Sequence, residues 1–518
     1  VTRVAADPGH LEREVKLGVD LDFVLPDLTD EVATSRPQMQ QAMRTAYFDT
    51  AEFRLWRRGM TLRHRTGDEP GSGTWTAKLP APSDGPTLDR TELSWPGPRD
   101  SLPEEAIGLF LGITRSSPLH QIVELVTTRR RFLLRDSAGV ARGELDDDTV
   151  TVVGGNRDGV CFRQIEVELG PGGDVLAGRV VNRLVSAGAR PGGGQKLAKA
   201  VDLPAPSRQG TRINKGSSMG DIARAGIVTA LDRLLDNDYL LRLDPSNPSV
   251  EGIHQARVAT RRLRSQLKMI GSVLDPVWVA QIRAELRWLG ERLGTVRDAD
   301  VLAPVLSGGG DGSSFDAGGR SELRSAAEAE RRGHCRDLSD ALSSDRYLEL
   351  LDRLAAAAEL PPFAEGRRGK RASSPVRPAG EVLPKLVRHR WRSLRRAVRR
   401  GGRHPSDAEL HGMRIRAKEL RYAAETAAPV IGKAARRTAT AAEEAQNVLG
   451  RHHDAVTAEA WLRNRAMEGA PAASYSAGRL AAQQARSQRR LRRRWRPVWR
   501  RLDHKNVRRW FSRRSLDR

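Results

Sequence analysis

Cysteine is almost missing from this chain: 518 residues carry two, Cys161 and Cys335. They stand far apart and in no metal-ligand spacing, so neither a disulfide framework nor a thiolate metal site is expected. Aromatic residues make up only 5%, which leaves the cores to be built from smaller aliphatic side chains. No stretch approaches the roughly 20 consecutive apolar residues of a membrane-spanning helix, and no apolar signal segment is recognisable. These absences predict a reducing, cytoplasmic setting. Acidic residues are scarce in one half only. Residues 1–205 hold 26 Lys and Arg against 29 Asp and Glu, and residues 206–518 hold 62 against 35. Such asymmetry points to a polyanion as partner of the second half, and the length predicts at least two domains.

The first half reads as strands. "LEREVKLGV", "MTLRHRTG", "GTWTAKLP", "RTELSW", "RRRFLLRD", "GELDDDTVTVV" and "FRQIEVELG" are short segments separated by Gly, Pro and Asp turn signals. Helices are expected near 119–126 and 174–187. Alternation along a strand sends successive side chains to opposite faces. It therefore puts Glu12, Glu14 and Lys16 on one face, Arg63 with Arg65, Arg90 with Glu92, Glu144 with Asp146 and Asp148, and Glu166 with Glu168. One solvated face rich in charge is ordinary. Nearly every strand carrying one, with so many arginines, fits a barrel with a charged interior.

Residues 206–220 read as a linker between domains at 1–205 and 221–518. Beyond it the period becomes helical and an internal repeat emerges. "IHQARVATRRLRSQL" from Ile253 matches "LHGMRIRAKELRYAA" from Leu410, and "RLGTVRDADVL" matches "VLGRHHDAVTAEAWL", pairing Gly294 with Gly450 and Asp298 with Asp454. In the first copy His254, Arg257, Arg261, Arg264 and Lys268 fall on one face about 80° wide, opposite an apolar face of Ile253, Ala256, Leu263, Leu267 and Ile270. The second copy repeats the stripe with His411, Arg414, Lys418 and Arg421. No acid interrupts either stripe, so a ladder of cations faces outward and could follow a chain of phosphates. The closing arginine-rich segment adds charge, and its Trp495, Trp499 and Trp510 read as helix-packing residues beside Val498, Leu502 and Phe511.

The first half resembles the CYTH superfamily of triphosphate tunnel metalloenzymes. The resemblance rests on the ExExK signature of Glu12, Glu14 and Lys16 and on the order of "LRHR", "TWTAKLP", "RTELSW", "RRRF", "GELDDD", "IEVELG" and "GGGQKLAKAV" after it. It implies an antiparallel barrel whose tunnel binds triphosphate. Glu12, Glu14, Glu166 and Glu168, with Asp146, are then the expected ligands of Mg²⁺ or Mn²⁺. Glu14, Lys16 and Glu168 are the expected catalytic residues, and Lys16, Arg63, Arg65, Lys78, Arg90, Arg131, Arg135 and Lys196 the expected phosphate clamp.

The second half resembles the CHAD domain, a conserved-histidine α-helical domain of two pseudo-symmetric four-helix bundles, through its two H-x-x-R-x-x-x-[RK]-x-x-R helices. The resemblance implies inorganic polyphosphate binding by the two stripes. The expectation is thus an α+β multidomain chain: a metal-dependent triphosphatase barrel followed by an all-α polyphosphate-binding domain, associated with polyphosphate granules. A catalytically silent polyphosphate-granule protein is the main rival. An adenylate cyclase and a nucleic-acid binder rank lower, the last because no groove-reading motif accompanies the basic residues.

Overall fold

A computed structural model describes residues 10–29, 40–66, 73–80, 88–192, 194–203, 210, 212–308, 312–364 and 374–512. The chain divides into two compact units, 1–209 and 210–518; the boundary falls inside the expected linker, of which 206–209 and 211 lie outside the described residues.

The first unit is built on antiparallel strands β1 (His10–Val19), β2 (Gln41–Asp49), β3 (Thr61–Thr66), β4 (Thr74–Pro80), β5 (Leu88–Pro96), β6 (His120–Arg135), β7 (Ala141–Val153), β8 (Cys161–Leu169) and β9 (Arg190–Pro191). Helix α1 (Glu104–Thr114) follows β5, α2 (Asp174–Ser186) follows β8, and α3 (Lys196–Val201) ends the unit. The strands run in the order β5-β4-β3-β2-β6-β7-β8-β1-β9, and β1 also pairs with β5. In that pairing the first half of β1 lies against 88–92, while its second half lies against β8. The two ends of the ladder therefore meet around a central space.

Segment 119–126, expected to be helical, is instead the start of β6. Its Ile122, Val123 and Val126 are β-branched, and it pairs with β2 from Asp49 back to Arg44. The expected helix at 174–187 forms as α2. Helix α1, which the strand-rich reading had not anticipated, buries Ala106, Leu109, Phe110 and Ile113.

Alternation sorts the two faces of the sheet. Outward-facing Leu17, Val19, Phe132, Leu145, Ile165 and Val167 are buried under Leu176, Val180 and Leu184 of α2. The inward face of the same strands carries the charges. At one end of that interior they give way to Tyr47, Val123, Leu125, Val150 and Val152, against which α3 packs Leu197 and Ala200. The helix thus plugs one end and leaves its first residue, Lys196, facing the charged middle.

The second unit is helical: α4 (Met219–Arg242), α5 (Val250–Ile270), α6 (Pro276–Leu306), α7 (Ser314–Ser343), α8 (Asp345–Glu359), α9 (Ala379–Arg400), α10 (Asp407–Ile431), α11 (Lys433–Glu468), α12 (Pro471–Leu502) and α13 (Lys505–Arg508). Side-chain caps fix several starts. Ser218 with Asp221 and Ser406 with Glu409 form capping boxes, and Asp275 caps α6 ahead of Pro276. Helices α4 to α7 form one bundle, with α8 closing on α4, and α9 to α12 form the second. The apolar stripe read from the sequence is buried as expected, with Ile253, Ala256, Leu263, Leu267 and Ile270 all in the core. One hydrophobic core continues through both bundles, from Ile253 and Leu286 to Leu420 and Trp495.

Candidate functional site

In the first unit the strand register assembles charged rows. Lys16 stands opposite Glu166, Glu166 opposite Asp146, and Asp146 opposite Arg131, across four neighbouring strands. One step along, Glu14 stands opposite Glu168, and Glu168 opposite Glu144. From the other side come Arg63, Lys78 and Arg90. A narrow cavity is lined by Glu14, Lys16, Arg63, Lys78, Arg90, Glu166 and Lys196, together with Tyr47 and Thr61.

Acids and bases in this interior neutralise one another. Lys16 Nζ lies 2.5 Å from Glu166 and 3.0 Å from Glu14, and Lys196 lies 2.9 Å from Glu166. Burial opposes charge on Lys16, but Glu166 and Glu14 outweigh it and raise its pKa. Burial likewise works against ionised Glu166, yet Lys16, Lys196 and Arg129 hold it well below the usual carboxylate range. On the far wall Glu92 bridges Arg63 at 3.1 Å and Lys78 at 3.0 Å. Arg65 is different: the Arg63 charge, then burial, then Arg129 pull it down to about 10. Its buried Nε has no hydrogen-bond partner. Such a crowd of cations is poised for an anion.

Most of the expected tunnel residues therefore converge. Asp146 is buried between Arg129 and Arg131, with Arg131 Nε at 2.8 Å, and Glu166 is held by two ammoniums. These two expected metal ligands are engaged by cations, as is Glu14 by Lys16 at 3.0 Å, and Glu168 stands opposite Glu14 in the strand register. Glu12 continues β1 next to them by backbone position, but its side chain lies outside the described residues. Among the described residues no three His, Cys, Asp or Glu side chains gather as a ready cage. Glu14 Oε1 is buried, 3.0 Å from the Lys16 ammonium, and is a donor suited to a hard cation.

Arg135 does not join the clamp. A register shift separates it from Leu134, and it donates to the Gly139 carbonyl at 2.8 Å in the β6–β7 turn. Arg129, absent from the expected set, sits deeper than Arg131. It is buried, and Asp148, Asp146 and Glu166 surround it. In "TRRRF" three successive arginines alternate faces, and only the pairing partner tells which of them penetrates.

In the second unit the two repeat copies face each other. A cavity of about 570 Å³ is lined by His254, Arg257 and Arg261 of α5 and by Arg414 and Lys418 of α10. Helices α6 and α11 complete it with Arg297, Asp298, Arg451, His453 and Asp454. Equivalent residues of the two copies line opposite walls: Arg257 with Arg414, Arg261 with Lys418, Arg297 with His453, and Asp298 with Asp454. Asp298 lies 3.2 Å from Arg257. Arg261 and Arg414 each keep a buried Nε without a partner. Burial, then Arg261 and Arg414, bring the Lys418 ammonium down to about 6. Burial, followed by Arg414 and His411, lowers His453 to about 4. His411 reaches this wall through His453, their Nδ1 atoms 3.1 Å apart.

The remaining expected cations lie away from the cavity walls. Lys268 is paired with Glu419 at 2.7 Å. Arg421 is paired with Glu425 and Glu443, and Arg264 is near Arg287 and Arg283 of α6. The stripe is continuous along each helix, but only its first two turns border the cavity. Arg297, Arg451 and His453 escaped the sequence reading because they belong to the following helix. The offset of the repeat would have found Arg297 and His453, which it sets against each other, but not Arg451, whose counterpart is Thr295.

Comparison with known proteins follows this division. The CYTH domain family matches residues 10–179 and the CHAD domain family residues 225–463. The uncharacterized protein Rv2226 of Mycobacterium tuberculosis (strain ATCC 25618 / H37Rv) is 32% identical over 484 residues, covering 88% of this chain and 89% of that protein. The CHAD domain crystal structure from the plant Ricinus communis is 26% identical, with a TM-score of 0.42, covering 55% of this chain and 96% of its own. HpAC1 from Hippeastrum, described as revealing a dominant triphosphatase activity, is 19% identical with a TM-score of 0.25, covering 37% of this chain and 98% of its own. No helix among the described residues is long and apolar enough to cross a membrane. With its antiparallel tunnel unit followed by an all-helical unit, the chain belongs to the CYTH–CHAD family, a CYTH domain fused to a CHAD domain.

Proposed function

We propose that the first unit hydrolyses inorganic triphosphate, or another triphosphate-bearing substrate, and that the second binds inorganic polyphosphate. The observation that carries the first part is the single cavity into which Lys16, Arg63, Lys78, Arg90 and Lys196 converge beside Glu14. Phosphoryl transfer asks mainly for positioning and charge stabilisation, and this cavity offers both. A bound triphosphate would take over cations now held by Glu92 and Glu166, so the ion pairs act as placeholders that keep the clamp oriented. Arg65, short of partners, would hold an end phosphate. Glu14, with Glu12 and Glu168, would hold Mg²⁺ or Mn²⁺, whose chemistry is to neutralise phosphoryl charge and acidify a water. Glu166 fixes Lys16 and Lys196, and Glu168 would orient the attacking water.

The second part rests on the cavity between α5 and α10, where guanidinium groups from both copies face inward with too few carboxylates to satisfy them. Phosphate release from tripolyphosphate with Mg²⁺ or Mn²⁺ tests the catalytic reading. Release by the wild type and its loss in Glu14→Ala are expected. Absence of release with either ion, in folded protein that still binds polyphosphate, would leave a binding protein in place of an enzyme.

A further inference from the structure

The strongest concentration of charge that these two sites leave unused lies on the outside of the second bundle. Helix α12 has ten arginines and no acid between Pro471 and Leu502. Arg486, Arg489, Arg490, Arg493, Arg494 and Arg500 are all exposed, and their spacing puts them on one face of the helix. From Arg486 to Arg501 the stripe runs for about 22 Å at 1.5 Å per residue. None of those six forms an ion pair or hydrogen bond with a described residue. The carboxylates nearest the stripe are already engaged, Glu444 by Arg501 at 3.0 Å and Asp407 by Arg492.

Helix α9 supplies a second stripe. Arg392, Arg395, Arg396, Arg399 and Arg400 are exposed at the same kind of spacing, and the only acid on α9 is Glu381 in its first turn. The two helices are neighbours. Leu394 and Val398 share an apolar pocket with Trp495 and Trp499. Arg496 donates to the Gly402 carbonyl, and Arg492 donates to that of Pro405 at 2.7 Å.

The chemistry of this face narrows its partner. Its tryptophans are occupied: Trp391 and Trp495 are buried, with Arg395 and Arg496 over their rings at 5.2 and 5.3 Å, and half-buried Trp499 packs against the core. No aromatic platform is left for stacking bases of a single strand. Residues 379–400 and 486–502 include no exposed large apolar side chain, so nothing there inserts into a bilayer or wedges between base pairs. What remains is guanidinium on two cylinders side by side. A rigid duplex touches such a surface only along a line, whereas a flexible chain of phosphates can follow one stripe and turn onto the next.

We propose that the outer face of α9 and α12 is a second polyphosphate track, separate from the cavity between α5 and α10. The proposal rests on the polyphosphate reading of the helical unit and deepens it. A long chain engages cavity and track together, so its second attachment is intramolecular and affinity rises with chain length.

The test uses the full-length chain in three forms: wild type, a track variant (R489Q/R490Q/R493Q/R494Q) and a cavity variant (R261Q/K418Q). Binding of long-chain inorganic polyphosphate is measured against salt, with far-ultraviolet circular dichroism as the check of folding. Removing four phosphate contacts should lower the slope of log affinity against log salt by about 3, and affinity at physiological salt by about tenfold or more. Tripolyphosphate turnover should stay at the wild-type rate. A folded track variant with unchanged slope and affinity overturns the track, whatever the cavity variant does. Loss in the track variant with normal binding by the cavity variant upholds the track and refutes the cavity. Duplex DNA that displaces polyphosphate from the wild type on equal terms, and ceases to bind the track variant, overturns the choice of ligand.

Discussion

Lys418 occupies the place that Arg261 takes in the other repeat copy, and the exchange of one cation for another matters. A guanidinium stays charged among like neighbours, whereas an ammonium gives up its proton. Lys418 titrates near 6 in the fold, from an ordinary value of 10.5. Between those values the unfolded chain binds the proton and the folded chain does not. This group therefore makes the fold more stable as pH rises from about 6 to about 10.5, and adds nothing further below about 6. A phosphate chain entering the cavity reverses the repulsion and restores the proton. Arg257, Arg261, Arg297, Arg414 and Arg451 face the cavity and keep their charge, while Asp298 and Asp454 offset part of it. His453, held near 4, stays neutral in this range. Polyphosphate binding should thus take up protons at about pH 7.5 and tighten toward pH 6. Calorimetry in buffers of different ionisation enthalpy should detect that uptake in the wild type and its loss in Lys418→Met.

At the scale of elements, β7 and β8 set the acidic rows, and Gly143 governs how closely they approach. A Cβ built on Gly143 would stand 2.4 Å from the carbonyl oxygen of Glu168, so a side chain there must push the strands apart beside Glu144 and Glu168. Gly143→Ala should cost about 1–3 kcal/mol in stability by the usual penalty of overpacking, read by denaturant unfolding, and should depress phosphate release further than stability alone explains. Strand alternation made Glu14, Lys16 and Arg63 legible, whereas Lys78 and Lys196 came from the family resemblance of "TWTAKLP" and "GGGQKLAKAV", Lys196 opening helix α3. Register was not legible. It decides that Arg129 penetrates, that Asp146 is enclosed by guanidiniums, and that Arg135 ends in a turn. The apolar run at 119–126 has no clear period of its own, and only its pairing with β2 makes it a strand. The helical stripes were readable as faces, but their meeting in space was not. Arg264 lies beside Arg283 and Arg287 of α6, and carboxylates hold Lys268 and Arg421, so these three share a stripe with Arg261 and Lys418 without sharing their cavity.

At the scale of the molecule, each unit has its own apolar core, one under α2 and around α3, the other running through both bundles. Cutting the chain between Gln209 and Gly210 should yield two fragments that unfold cooperatively in denaturant. Residues 1–209 should keep phosphate release, and residues 210–518 should keep polyphosphate binding. Loss of folding by either fragment would show that its core needs the other. Charge follows the same boundary: the near-neutral half pairs its cations internally, whereas the basic half leaves many of them facing outward.

The cavity walls contributed by the two copies have one more implication. A linear chain of identical phosphates reads the same from both ends, so a binding site with two equivalent walls would accept it in either direction. The copies are not identical, however. Arg261 faces Lys418 and Arg297 faces His453, so one wall keeps its two guanidiniums while on the other Lys418 gives up its charge above about pH 6 and His453 above about 4. A slot lined by two copies of one motif is reversible in outline, and the differences between the copies at Lys418 and His453 give it polarity.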